Sequence, residues 1–119
     1  MAFAFETSMP ARLNKSGEYV LCGRRRCHIR FAIYNPSRGQ RCYVLSGWHY
    51  DDRLGLWVAS RHAERRVARG LQPADRRAFA STTLRRPIEP PARFRCPKCG
   101  TVSEVTAETL RRAASVGTL

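Results

Sequence analysis

The sequence predicts a small, β-rich α+β fold, and three observations predict it. Apolar and polar residues alternate with period two over residues 27–34, as in a pleated strand. Residues 41–48 and 54–58 are rich in aromatic and β-branched strand formers. Two cysteine pairs, at 22 and 27 and at 96 and 99, each lie in a turn between extended runs. With 119 residues, a single domain over 1–119 is the expectation.

Taken in order, residues 1–16 read as a loose start, with Phe3 and Phe5 able to dock as an edge strand. Residues 18–22 (EYVLC) are a short extended run and residues 23–26 (GRRR) a basic turn. Cys27, Ile29, Phe31 and Ile33 then alternate with His28, Arg30, Ala32 and Tyr34, which gives a strand with one apolar face. Residues 35–39 (NPSRG) have turn composition. Residues 41–48 form a second strand, Asp51 and Asp52 mark a turn, and residues 54–58 form a third, together an antiparallel meander. Ser60 is placed to cap a helix over residues 61–69, with Gly70 to stop it. Pro73 opens a second short helix through about Thr82. Residues 85–93 are a proline-rich, extended connector. Residues 93–96 return to strand, 96–100 turn sharply and 101–105 extend again. Thr106 caps a final helix over 107–116, with Glu108 near its positive end and Arg111 and Arg112 towards its negative end. Gly117 follows as its stop.

Leu, Ile, Val and Phe make up only about a fifth of the chain, near the level where burial alone stops sustaining a fold. A thin core calls for a staple, and in small domains a metal ion is a common one. Five cysteines in a chain with no visible secretory signal read as metal ligands before they read as disulfides, and the odd count leaves one unpaired. The N-terminal stretch carries Glu6 and no apolar run of signal-peptide length, so the expected compartment is the cytoplasm. No stretch approaches the about 18 apolar residues of a membrane-crossing helix, so no membrane partner is expected.

The strongest motif is Cys96-Pro97-Lys98-Cys99-Gly100. Two thiolates two residues apart can both reach one tetrahedral ion, provided the chain turns tightly between them. Pro97 fixes one dihedral of that turn, and Gly100 accepts a conformation that other residues resist. Cys22 and Cys27 are separated by four residues, still within ligand-pair spacing. The expected metal ligands are therefore Cys22, Cys27, Cys96 and Cys99, holding one structural Zn2+. Four thiolates and one divalent ion sum to about −2, and Arg24, Arg25, Arg26, Arg95 and Lys98 stand nearby in sequence to compensate it. An iron centre would use the same four thiolates. A disulfide or unligated thiols are further alternatives, as is a redox dithiol at CPKC, but a redox motif should open a helix, and here TVSEV follows. Cys42 reads as a buried apolar filler, with a substitute ligand as the alternative. His28 should point away from any ion held by Cys27, since strand neighbours face opposite ways. His49 and His62 stand alone.

Two turns of the form Cys-x(2–4)-Cys, each inside a hairpin and the second reading CPKCG, resemble the zinc-ribbon superfamily. The resemblance covers about 10 to 15 residues around each pair. It implies ribbon halves at 18–34 and 92–106, an inserted segment over 35–91 carrying the strand meander and short basic helices, and an appended helix at 107–116. Members of that superfamily are mostly structural modules in transcription, translation and nucleic-acid processing. The resemblance thus implies a binding module.

Charge points the same way. Lys plus Arg number 22 against 9 acids, a net of +13, and all but Lys15 and Lys98 are arginine. Codon bias in a GC-rich genome accounts for a high Arg-to-Lys ratio but not for the net charge, which favours a polyanionic partner. Arginine concentrates at Arg24, Arg25, Arg26 and Arg30, and again at Arg61, Arg65, Arg66, Arg69, Arg76, Arg77, Arg85 and Arg86. Arg61, Arg65 and Arg69 share a helix face by i, i+4 spacing. The expected nucleic-acid contacts are Arg24, Arg25, Arg26, Arg30, Arg61, Arg65, Arg66, Arg69 and Lys98. The alternative is a solvated basic face. Tyr34, Tyr43, Trp48, Tyr50 and Trp57 interleave with the charge, as stacking platforms for unpaired bases or as core.

No GxGxxG, Walker or GxSxG motif occurs. A site closed by four cysteines leaves no open position for catalysis. The expectation is a basic, non-catalytic accessory protein binding DNA or RNA through its backbone, or alternatively a protein-interaction module docking on a transcription, translation or phage assembly.

Overall fold

The computed structural model of the chain describes residues 8–35, 41–73 and 86–117. Nine strands run in chain order: β1 (Met9–Pro10), β2 (Arg12–Leu13), β3 (Tyr19–Leu21), β4 (Arg30–Asn35), β5 (Arg41–Val44), β6 (Trp48–Asp51), β7 (Leu56–Ala59), β8 (Ala92–Arg95) and β9 (Val102–Val105). Two helices, α1 (Arg61–Ala68) and α2 (Ala107–Gly117), complete the described elements. The strands form two sheets, one in the order β1-β9-β8-β7-β6 and one in the order β2-β3-β4-β5. The architecture is α+β and strand-rich, as the alternation predicted.

Each cysteine pair lies in a hairpin turn, but the two hairpins belong to different sheets. Cys22 and Cys27 sit between antiparallel β3 and β4, and Cys96 and Cys99 between antiparallel β8 and β9. Residues 9–13 of the N-terminal segment, expected to be loose, stitch the two sheets together, while Phe3 and Phe5 lie outside the described residues. Met9 and Pro10 pair in parallel with Ser103 and Glu104 of β9, and Arg12 and Leu13 pair antiparallel with Leu21 and Val20 of β3. The chain changes sheet at buried Ala11, whose N–H donates to the Glu104 carbonyl at 2.8 Å.

The expected three-strand meander is corrected in two respects. Residues 41–48 are not one strand: β5 ends at Val44 and β6 begins at Trp48, in the other sheet. Gly47 has φ of +97°, which ends the extended run and redirects the chain. Trp48 then buries its ring, and its indole N–H donates to the Arg30 carbonyl at 3.2 Å. The turn after β6 lies later than expected, with Asp51 Oδ1 accepting from the N–H groups of Arg53 and Leu54. Nor does β4 have a single apolar face, because Phe31, Ala32, Ile33 and Tyr34 are all buried. Phe31 faces the other sheet, while Tyr34 lines a cavity together with Leu110 of α2.

The core runs between the sheets. Phe31 of β4 and Phe94 of β8 are fully buried and stack with centroids 4.1 Å apart and planes 13° from parallel. Trp48 meets both edge-on, at 5.2 and 5.5 Å. Small residues complete the interior: Ala32, Ala63 and Ala113 have no exposed surface. Aromatic area and close-packed alanines thus compensate for the low aliphatic content.

Ser60 caps α1, its hydroxyl accepting from the Ala63 N–H at 3.1 Å, and Ala63 and Val67 face the core. Thr106 and Thr109 cap α2 reciprocally, each hydroxyl accepting from the other residue's N–H. Gly117, expected just past the end of that helix, is its last residue. The extended connector follows β5, with Ile88 N–H on the Cys42 carbonyl and Val44 N–H on the Arg86 carbonyl. The helix expected over 73–82, together with Arg76, Arg77 and Arg85, lies outside the described residues. Neither described helix is long and apolar enough to cross a membrane.

Candidate metal centre

Backbone bonding shapes both cysteine turns before any ion is considered. In the first, Cys22 N–H donates to the Ile29 carbonyl at 3.1 Å and Cys27 N–H to the Arg24 carbonyl at 2.9 Å. In the second, Cys96 N–H donates to the Thr101 carbonyl and Gly100 N–H to the Cys96 carbonyl, both at 2.9 Å. Gly100 takes φ of +74°, the conformation the turn requires of it.

These turns bring the four sulfurs of Cys22, Cys27, Cys96 and Cys99 within 4.8 Å of one another. Cys22 Sγ lies 3.6 Å from Cys99 Sγ, and Cys27 Sγ lies 3.4 Å from Cys96 Sγ. A disulfide would need about 2.05 Å. A tetrahedron with metal–sulfur bonds of about 2.3 Å has edges of about 3.8 Å. The spacing therefore suits one ion shared by four thiolates, with two ligands from each sheet. Three of the four cysteines are buried and Cys99 is half-buried.

The electrostatics fit as well. Left to themselves, four crowded thiols cannot all ionise. Hydrogen bonding from Cys96 holds Cys22 down to about 5. The same bond, with burial, pushes Cys96 up, and burial raises Cys27. A divalent cation removes this competition by stabilising every thiolate at once. Polar groups already point at the sulfurs: Lys98 N–H donates to Cys96 Sγ at 3.4 Å, and Thr101 Oγ1 lies 3.2 Å from Cys99 Sγ.

Two supporting residues were not singled out by the sequence. Arg12 of β2 wraps the first turn: its Nε donates to the Cys22 carbonyl at 3.0 Å, and one Nη2 donates to the carbonyls of Arg24, at 2.7 Å, and Cys27. Ser103 of β9 is fully buried, and its Oγ accepts from the Gly23 N–H at 2.8 Å, which ties the first turn to the opposite sheet. Gly23 itself allows close approach, since a Cβ there would stand 2.4 Å from the Pro10 carbonyl oxygen. Nothing in the spacing of Arg12 or Ser103 marks them, because Arg12 reaches the turn from a neighbouring strand of the same sheet and Ser103 reaches it from the other sheet.

The other singled-out residues fall as follows. Cys42 is buried and outside the cluster, and burial pushes its thiol up to about 11. His28 is exposed while Cys27 is buried, and His49 and His62 are exposed. The second cysteine pair leads into a strand, not a helix, so the helix that would activate a redox dithiol is not there. Arg24, Arg25, Arg26 and Lys98 are exposed on the two turns, Arg61 and Arg65 are exposed on α1, and Arg69, expected as its last residue, is exposed at its C-cap. Arg30 is half-buried with its guanidinium 4.1 Å from the Tyr19 ring centroid. Arg66 is half-buried and its Nε donates to the Gln72 carbonyl at 2.9 Å. Gln72 in turn accepts from the Arg30 N–H and donates to the His28 carbonyl, which sets the chain leaving α1 beside the strand leaving the first turn. Compared with protein-family models, curated proteins and solved structures, the chain matches none.

Proposed function

We propose that the four cysteines hold one structural zinc ion and that the chain is a small, non-catalytic accessory protein that binds DNA or RNA through arginine–phosphate contacts. The observation that carries this reading is the first ligand turn. It presents three consecutive exposed arginines, Arg24, Arg25 and Arg26, next to a cluster of four thiols at tetrahedral spacing. Zinc is the ion that four thiolates in two tight turns suit best, and four sulfur ligands fill its coordination sphere. A filled sphere leaves no position for a substrate or an activated water, which supports a structural role. The net charge of +13 supports a polyanionic partner.

Two measurements test it. Metal analysis of the purified protein should return one zinc per chain; iron or no metal overturns the zinc assignment. Fluorescence anisotropy with labelled duplex should show binding that weakens steeply with salt. Three phosphates neutralised by Arg24, Arg25 and Arg26 alone predict about a 40-fold loss between 50 and 200 mM salt, and further contacts steepen it. Replacing Arg24, Arg25 and Arg26 with alanine should flatten the log–log slope by about 2 to 3. No binding at low salt, or a slope unchanged in that variant, refutes the assignment of those contacts.

A further inference from the structure

The aromatic cluster does not stop at the core. From fully buried Phe31 and Phe94 it continues to half-buried Trp57 of β7, whose centroid is 6.1 Å from that of Phe31. It ends at exposed Tyr50 of β6, the register partner of Trp57, with centroids 5.6 Å apart and planes at 68°. Trp57 thus joins the buried aromatic core to exposed Tyr50. These two rings line a cleft of about 470 Å³, within the range of about 300–1,000 Å³ usual for small-molecule sites.

The same cleft carries a particular arrangement of charge. Arg86 holds its guanidinium 5.4 Å from the Trp57 ring centroid. Arg93 of β8 reaches towards the β6–β7 turn, its Nη2 lying 3.9 Å from where a Cβ on Gly55 would stand. Glu89 and Glu104 also line the cleft. Two guanidiniums recruit phosphates. Two carboxylates repel a phosphate and accept hydrogen bonds from amino groups such as those on base edges. Aromatic rings stack on any base.

We propose that this cleft takes one unpaired, amino-bearing nucleobase, stacked against Trp57 and Tyr50, with the flanking phosphates on Arg86 and Arg93. The base edge faces Glu89 or Glu104. Arg86 leaves the ring for a phosphate as the base takes its place, an exchange that favours binding because base stacking outweighs an exposed cation–π contact. The inference rests on the reading that the polyanion is nucleic acid, and it makes the preferred form a single strand. A duplex keeps its bases paired and stacked and can reach only the phosphate-binding arginines.

Titration of the full chain with a 12-nucleotide DNA single strand, an abasic strand of equal length and a 12-base-pair duplex tests this. The readouts are tryptophan fluorescence and anisotropy. The base-bearing strand should quench Trp57 and bind about tenfold or more tightly than the abasic one. Tyr50→Ala, at an exposed position, and the milder Trp57→Phe should each shrink that preference while abasic and duplex binding persist. Equal affinity for the base-bearing and abasic strands overturns the cleft assignment, while salt-dependent binding of both still supports the basic-surface reading. Binding of no strand at all overturns both. Quenching by a proline-rich peptide but not by the DNA strand assigns the cleft to a peptide and overturns the proposal.

Discussion

Arg12→Ala should loosen the metal centre although Arg12 touches no sulfur. The side chain donates to three carbonyls of the first ligand turn, those of Cys22, Arg24 and Cys27. The Arg24 bond is solvent-exposed, and that carbonyl also accepts from the Cys27 N–H, so its loss costs little. The Cys22 and Cys27 bonds are partly buried. A hydrogen bond from a charged donor contributes about 1.5–3 kcal/mol, and the lower value suits partial exposure. Two such bonds give about 3 kcal/mol, equivalent to about a hundredfold in metal affinity. The backbone pairing of Arg12 with Leu21 does not depend on the side chain, so β2 itself should survive. Arg12→Lys should recover less than half of the loss, because an ammonium cannot serve carbonyls on both sides of the turn with one planar fork. Competition against a chromogenic chelator gives the affinity, and urea unfolding of the metal-loaded protein gives the stability. A change below about threefold in affinity, with an unchanged urea midpoint, would refute the clamp.

Four further outcomes are expected. Gly23→Ala should lower stability by about 1–3 kcal/mol, since its Cβ would meet the Pro10 carbonyl and Met9 at 2.4 and 3.0 Å, and a melting temperature that stays put would contradict the packing. Tyr34→Phe removes a buried hydroxyl that has no hydrogen-bond partner among the described residues, so it should be neutral or stabilising by about 1 kcal/mol in urea unfolding; a clear loss would show a partner in solution. Cys42, raised to about 11 by burial, holds its proton more tightly folded than unfolded. Its contribution is complete below about pH 9 and fades as pH rises towards 11, by about 2–3 kcal/mol in all, so Cys42→Ala should flatten the alkaline fall in stability between those values. Chelation should abolish the cooperative melt and the near-ultraviolet signal of buried Trp48, because a structural zinc contributes about 10–16 kcal/mol against a net domain stability of about 5–15. Retention of both signals after verified metal loss would show that the aromatic core suffices.

Features set by neighbours in sequence were legible without coordinates. The Ser60 cap, the cysteine turns and the strand after CPKCG all depend on residues within a few positions of one another. Sheet membership does not. The run at 41–48 has strand composition throughout, yet Gly47 divides it between two sheets, and the deciding contact is Trp48 on Phe31 and Phe94. Arg12 was equally hidden, since its partners lie 10 to 15 residues away across a hairpin. The core looked thin because aliphatics were sparse, whereas the interior uses stacked aromatics and alanines that let the backbones approach.

The arginines divide by the same geometry that builds the centre. Arg12, Arg30 and Arg66 are half-buried and engaged, on carbonyls of the first turn, on the Tyr19 ring and on the Gln72 carbonyl. A guanidinium so placed is held by several contacts and moves only if the local fold moves with it. Arg24, Arg25, Arg26, Arg61, Arg65, Arg69 and Lys98 are exposed. Exposed charges of this kind contribute little to stability, because water and salt weaken their interactions. On the proposed nucleic-acid reading, these are the cations placed to turn to a phosphate. If the proposed binding holds, its salt dependence should therefore count the exposed cations and omit Arg12, Arg30 and Arg66, whose replacement should shift stability while leaving the slope alone.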